Sequence, residues 1–201
     1  MASGETEASR HYVLFIDVLY AVVVGETIFT YGEELFNLFS SPSVSALALV
    51  VTYISIISSF IFWHSAISKY PHKKPYRFFV DIIVLIIYLG IMFNHSKIDT
   101  LFYGFIILYC LYLLWDFLTR REYDKVVSRL TTSARNLIIV VSVFIMRQLL
   151  VYLQTLYPQI PSTVTDVASL VVLAAFIIAS QIQNIRRVSK AKQAINRKVT
   201  V

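Results

Sequence analysis

Charged residues, cysteine and glycine are all scarce in this sequence. Only 15 % of its 201 residues are charged, whereas a soluble domain has about 25 %. The one cysteine, Cys110, excludes an intrachain disulfide and a cysteine-cluster metal site, and we expect it to be a small buried apolar residue. The five glycines form no phosphate-binding loop, and no His-Glu-x-x-His or Gly-x-Ser-x-Gly motif occurs.

Histidine is also sparse and has no metal-binding pattern. No two histidines share a helix face at ligand spacing; the four are His11, His64, His72 and His95. We therefore predict no catalytic residue, no metal site and no bound cofactor, and we expect that the protein is not an enzyme.

Long apolar runs dominate what is present. Hydrophobic residues make up 57 % of the chain and recur in runs of about 20. Such a run crosses a hydrocarbon core of about 30 Å as a helix. The sequence predicts an all-α, polytopic membrane protein with helices at 11–31, 44–68, 77–95, 99–120, 133–155 and 163–187. We expect a disordered lead at 1–10, a transmembrane domain at 11–187 and a basic tail at 188–201.

The loops between these runs alternate in charge. The first and fifth connections contain no lysine or arginine, and the third contains only Lys97. Basic residues surround the second and fourth connections and fill the carboxyl-terminal tail: Lys69, Lys73, Lys74, Arg77; Arg120, Arg121, Lys125, Arg129, Arg135; Arg186, Arg187, Lys190, Lys192, Arg197, Lys198. The positive-inside rule then predicts that both termini are cytoplasmic. The net charge of +6 is thus a topology signal and does not indicate a nucleic-acid partner.

The basic tail from Arg186 has a helical, polar pattern and is predicted to continue helix six. It could attract anionic lipid, or it could be a solvated charge run that only sets the topology.

Helix one carries two carboxylates, Asp17 and Glu26, inside an apolar run. A charge there costs about 2.5–3.5 kcal/mol, so such residues usually serve a partner, a cavity or an ion path. Nine positions at about 100° each put the two acids on opposite faces. One face has Asp17 with Arg10, and the other has Phe15, Val18, Val22, Glu26 and Phe29 with Gly25 beside them. A structural hydrogen bond between helices is the alternative for either acid.

Six polar or charged side chains share one predicted membrane layer near the cytoplasm. They are Arg10, Asp17, Trp63, His64, Arg77 and Asp81. Such a set can satisfy its own hydrogen bonds and ion pairs, which favours a structural clamp between helices one to three. A proton relay is the alternative, because histidine titrates near working pH.

Toward the other surface, Arg147 in helix five has two candidate partners. It could pair with Glu26 or with Asp166, or extend outward to water, and the sequence leaves these alternatives open. Trp115 and Asp116 end helix four and are expected to be interface anchors.

The first helix resembles that of the transmembrane protein 175 potassium channels of endosomes, lysosomes and prokaryotes. Their helix begins with Arg-x-x-x-Phe-Ser-Asp, and here Arg10 is followed after four residues by Phe15-Ile16-Asp17. Trp63, His64 and Asp81 stand near the places of that family's Trp, His and Asn. The family's pore threonine falls on Gly25, which puts potassium selectivity in question.

The resemblance implies a homotetramer in which helix one lines a central pore with an apolar constriction at Val22. The pore-lining set would be Phe15, Val18, Val22, Gly25, Glu26 and Phe29. Apolar rings gate by dewetting, and acidic rings concentrate cations.

These observations predict a cation channel that conducts potassium or another monovalent cation. The alternatives are a proton-linked transporter using Asp17, His64 and Asp81, or a membrane scaffold without transport. A transporter often has internal repeats and broken helices, and we find neither. The expected partners are membrane lipid, further copies of the chain and monovalent cations, in the cytoplasmic membrane of a prokaryote.

Overall fold

Six long helices form the described part of the protein. The computed structural model describes residues 2–40, 43–70, 74–123, 129–159 and 161–199, and for 2–10, 39, 65, 68–69, 129–133 and 181–199 it describes the backbone alone. The helices are α1 (Ala2–Phe36), α2 (Val44–Lys69), α3 (Pro75–Phe93), α4 (Ile98–Glu122), α5 (Arg129–Leu156) and α6 (Ser162–Val199), with a 3-10 turn at Asn37–Phe39.

The predicted fold class is confirmed. Each of the six helices is long and apolar enough to cross a membrane, and the described ranges contain no strand. The spans agree with the predicted ones to within a few residues at most ends.

The largest difference lies at the start of α1. The helix begins at Ala2, so the expectation of a disordered lead before His11 is wrong for the backbone of 2–10. The segment Ala2–Arg10 is rich in good helix formers, and its acids Glu5 and Glu7 complement the positive end of the helix dipole. At its other end, α1 continues through Glu33 and Glu34, which we expected in a connection.

Capping residues account for the ends of α2 and α3. The side chain of Ser43 accepts a hydrogen bond from the Ala46 N–H at 3.0 Å and so caps α2. Pro75 occupies the first turn of α3, where its missing N–H costs nothing. At the end of α3, Asn94 Nδ2 donates to the Gly90 carbonyl at 3.0 Å.

The helices pack so that α1 lies at the edge. α4 packs against α3 and α5, α2 packs against α6, and α5 packs against α6. α1 contacts only α3 and α2 among the described helices in substantial number. The largest fully buried apolar side chains are Ile16, Leu49, Ile56, Tyr88, Met92, Leu101, Phe102, Phe105, Leu108, Leu170 and Leu173. The core therefore lies among α2 to α6, and α1 contributes one face to it.

Two expectations about α4 are wrong. Cys110 is exposed rather than buried, whereas Trp115 and Asp116 are buried rather than interface anchors. The outside of a membrane bundle is as apolar as its core, so hydropathy does not separate the two faces of a helix.

The helical tail is confirmed for the backbone, since α6 continues to Val199. The side chains of the basic tail lie outside the described residues, and the attraction to anionic lipid stays a prediction.

We expect Gly104→Ala to destabilise the protein by about 1–3 kcal/mol. A Cβ at Gly104 would overlap Ile91 Cγ1 and lie 2.8 Å from Ile91 Cδ1, so the Ile91 side chain or the helices α3 and α4 must shift. Gly90→Ala is the matched control, because nothing lies within 4 Å of its added Cβ. Thermal unfolding in detergent is the measurement. Ile91→Ala should restore part of the loss in Gly104→Ala, and equal unfolding temperatures for both glycine variants would contradict this close packing.

Candidate functional site

The two faces of α1 have opposite environments. Ile16, Tyr20, Val23 and Thr27 are buried against the bundle. All six predicted pore-lining residues lie on the exposed side: Phe15, Val18, Val22, Gly25, Glu26 and Phe29. Val22 is 58 % exposed and Phe29 89 %. The predicted stripe is therefore a surface of the single chain.

Glu26 is the charged member of this surface. It is exposed on a helix whose membrane span is His11–Phe36. At 1.5 Å per residue it lies about 15 Å along the axis from Phe36, the last residue of that apolar span. A carboxylate that faces lipid tails at this depth is costly, so Glu26 requires water or a neighbouring polar group.

Arg147 does not supply that group. Its guanidinium donates to Asp99 and, at 2.9 Å, to Asp166, and Gln148 also donates to Asp99 at 3.0 Å. Of the alternatives left open by the sequence, pairing with Asp166 is the one found, and Asp99 is an additional partner. The cluster joins α4, α5 and α6 at the end of the bundle where α1 finishes, which we term the Glu34 end.

The opposite end is held by Arg77, whose side chain is fully buried. Arg77 Nη1 donates to Glu122 Oε2 at 3.0 Å, and Nη2 donates to the Tyr70 carbonyl at 3.0 Å. The guanidinium carbon lies 4.3 Å from the centre of the Trp115 ring, which adds a cation–π contact. Burial raises the pKa of the nearby Tyr123 phenol, and the charge of Arg77 partly offsets this rise.

Two members of the predicted six-residue clamp, Asp17 and His64, lie close together. Asp17 Oδ1 lies 3.5 Å from His64 Nδ1, and this pair links α1 to α2 on a partly exposed surface. The His64 ring stacks on Trp63. Arg77 was predicted to join a clamp between helices one to three. The structure shows that it also binds Glu122 of α4, a partner that the sequence did not indicate. The side chain of Arg10 lies outside the described residues.

A chain of hydroxyl groups crosses the middle of the bundle. Tyr112 donates to Ser59 at 2.7 Å, Ser59 also contacts the Tyr20 hydroxyl at 3.1 Å, and Tyr88 contacts Tyr112 at 2.8 Å. Tyr88 then reaches Ser55, donating to its carbonyl at 3.1 Å. These contacts connect α1, α2, α3 and α4 through buried tyrosines, as polar side chains do between membrane helices.

Two small cavities adjoin this chain of hydroxyl groups. One is about 30 Å³ and is lined by Tyr20, Ser59, Phe62, Trp63, Asp81, Val84, Tyr112, Trp115 and Asp116. The other is about 60 Å³ and is lined by Ser55, Ser58, Ser59, Phe62, Tyr88, Tyr109, Tyr112, Asn136, Ile177 and Ser180. Each has room for water, since one molecule needs about 10–15 Å³. Trp63 and Trp115 both line the smaller cavity, and their buried indole N–H groups have no hydrogen-bond partner among the described residues.

Several members of the polar network were not anticipated from the sequence. Glu122 follows the predicted end of helix four and Asp99 begins it, and neither was among the predicted partners of an arginine. The contact of His95 with Glu34, at 3.1 Å, joins the predicted end of helix three to the predicted first connection. A signal did exist for Asp99, because it shares the outer layer with Asp166 and Arg147.

Among the residues that the structure describes, no three His, Cys, Asp or Glu side chains are grouped to hold a metal ion. Comparisons with family models, curated proteins and solved structures give no match for this chain. The assignment of function therefore depends on the side chains themselves.

Glu122→Gln should destabilise the protein by on the order of 3 kcal/mol, because it leaves the buried Arg77 charge poorly compensated. Glu33→Gln, which removes an exposed carboxylate, is the control and should change little. Thermal melting and size-exclusion chromatography in detergent check both. If Glu122→Gln had the melting temperature of the wild type, the stability of the protein would not depend on the Arg77–Glu122 pair.

Proposed function

We propose that this protein is a cation channel formed by several copies of the chain, with the exposed face of α1 lining the pore. The observation that carries the proposal is the exposure of Glu26 inside the membrane span of α1. A water-filled pore would solvate this carboxylate, whereas lipid would not.

The geometry of α1 supports an assembly rather than a pore within one chain. Its buried face is already used against α2 and α3, so the opposite face is free for an axis shared with other copies. We propose four copies, a number that comes from the resemblance to the transmembrane protein 175 channels. In such an assembly the Val22 side chains would form an apolar constriction that gates by dewetting.

The proposed permeant ion is a monovalent cation. A ring of Glu26 carboxylates would raise the local cation concentration at the pore. Arg147 would not neutralise this ring, because it is bonded to Asp99 and Asp166. Gly25 carries no side-chain hydroxyl for ion coordination, so we propose cation selectivity without preference for potassium.

A proton-linked transporter is the second candidate, and the two cavities beside the hydroxyl chain favour it. Asp81 lines the smaller cavity, which meets the hydroxyl chain at Ser59 and Tyr112. Asp17 and His64 do not line either cavity, so this route would use Asp81 and Asp116. Recording from purified protein in planar bilayers separates the two: unitary cation currents support the channel, and proton-coupled solute uptake without unitary currents would contradict it.

Val22→Ala and Val22→Ser should raise the unitary conductance or the open probability, because a wider or more polar ring is wetted more easily. Val171→Ala is the matched control, since Val171 is similarly exposed on α6, away from the proposed pore. Planar-bilayer recording is the measurement. Currents that respond equally to both alanine substitutions, or to neither, would remove Val22 from the pore.

Glu26→Gln should reduce cation current at low salt and have less effect at high salt. The reason is that the field of exposed carboxylates is screened over about 8 Å at 0.15 M salt. Currents recorded at two ionic strengths on either side of this value test the ring. A loss that is the same at both ionic strengths, together with a lower melting temperature, would show that Glu26 acts through packing.

A further inference from the structure

A buried histidine joins the end of α1 to the turn between α3 and α4. His95 lies in that turn and is 7 % exposed. Its Nε2 lies 3.1 Å from Glu34 Oε2, in the last turn of α1, and its Nδ1 lies 2.6 Å from the Met92 carbonyl oxygen. The edge of the ring also contacts Tyr31 of α1, with 4.8 Å between ring centres.

Both ring nitrogens of His95 therefore face oxygen acceptors. A carbonyl oxygen only accepts hydrogen bonds, so Nδ1 must carry the proton in its bond to Met92. In a neutral imidazole Nε2 would then have a lone pair directed at the Glu34 carboxylate, which is repulsive. The observed contact requires one further proton, either on Nε2 or on the Glu34 carboxyl group.

We propose that the His95–Glu34 pair is a proton-binding site that ties the end of α1 to the α3–α4 turn when the proton is bound. Loss of the proton breaks the Nε2 contact and releases Glu34. The positive-inside prediction puts the site at the outer surface. Its effect on ion flow rests on the proposed function, since α1 is the proposed pore helix.

Other titratable groups at this end do not replace the pair. From α1, Glu33 is exposed and Tyr31 presents its ring to the imidazole. Lys97 is exposed in the turn that contains His95. Asp99 of α4 is held by Arg147, as is Asp166 of α6. Glu34 is thus the acid that contacts His95, and its side chain is 33 % exposed, so protons from solution can reach it.

The direction of the pH effect depends on whether the protonated or the deprotonated pair makes the contact between His95 and Glu34. The protonated pair gains a charge-assisted hydrogen bond in the folded state, so this stabilisation is present while the proton is bound and is lost when rising pH removes it. The melting temperature of the purified protein in detergent should therefore be higher near pH 5 than near pH 8.

The first experiment compares that difference among variants. His95→Gln and Glu34→Gln should each reduce the pH-dependent difference by about 2–4 °C, the shift expected for about 1 kcal/mol in a chain of this size. His11→Gln and Glu33→Gln are the matched controls, because each removes an exposed group of the same type. If one of these two variants fails to fold, the other still tests the proton-binding site. A pH-dependent difference that is unchanged in both variants overturns the site.

The second experiment records current in planar bilayers while pH is changed on one side at a time. Acidification on the side that faces Glu34 should lower the open probability of the wild type and of Glu33→Gln, because the end of α1 is held. The response should be lost in His95→Gln and Glu34→Gln. Retention of the response in both variants overturns the coupling to α1. Absence of any unitary current contradicts the proposed channel, whereas the melting experiment tests the proton site without it.

Discussion

A membrane interior offers no water to a charged side chain, so a charge inside this bundle must find its partner within the protein. The two buried arginines follow this constraint. Arg77 is held by Glu122 and by the ring of Trp115, and Arg147 is held by Asp99 and Asp166. These clusters lie at opposite ends of the bundle and fix the helices α3 to α6. α1 is bound to that frame by its apolar face.

Glu26 is a charge that the frame leaves exposed in the middle of the apolar span of α1. The buried side of α1 and the clusters on α3 to α6 form a rigid support, and the face with Glu26 and Val22 is directed away from it. A pore would explain an exposed carboxylate on an otherwise apolar stripe. Water in the pore would solvate the acid, and the apolar ring would control whether the pore is wetted. The His95–Glu34 contact lies two turns further along the same helix, at the place where its end can be fixed or released.

The fold was predictable because apolar length and the charge of the loops are strong signals in a membrane protein. The angle between Asp17 and Glu26 on one helix also predicted which side of α1 is buried, since it needs only helix geometry. Partners across helices were harder, because they depend on which helices are neighbours and how each is rotated. Arg77 was expected to join the layer of Asp17, but its carboxylate partner is Glu122, beyond the predicted end of helix four. The burial of Cys110 and Trp115 was predicted wrongly, because lipid-facing positions and core positions favour similar apolar residues.

If α1 lines a pore, water reaches the exposed face of α1 within the membrane. The most direct test places a cysteine by Val22→Cys, and separately by Ile145→Cys on the exposed face of α5, in a Cys110→Ala background. Each is then treated with a charged, membrane-impermeant thiol reagent in proteoliposomes. The account predicts that the cysteine at position 22 is modified and that the one at position 145, facing lipid, is not. Protection at both positions, or equal modification of both, would contradict a pore lined by α1.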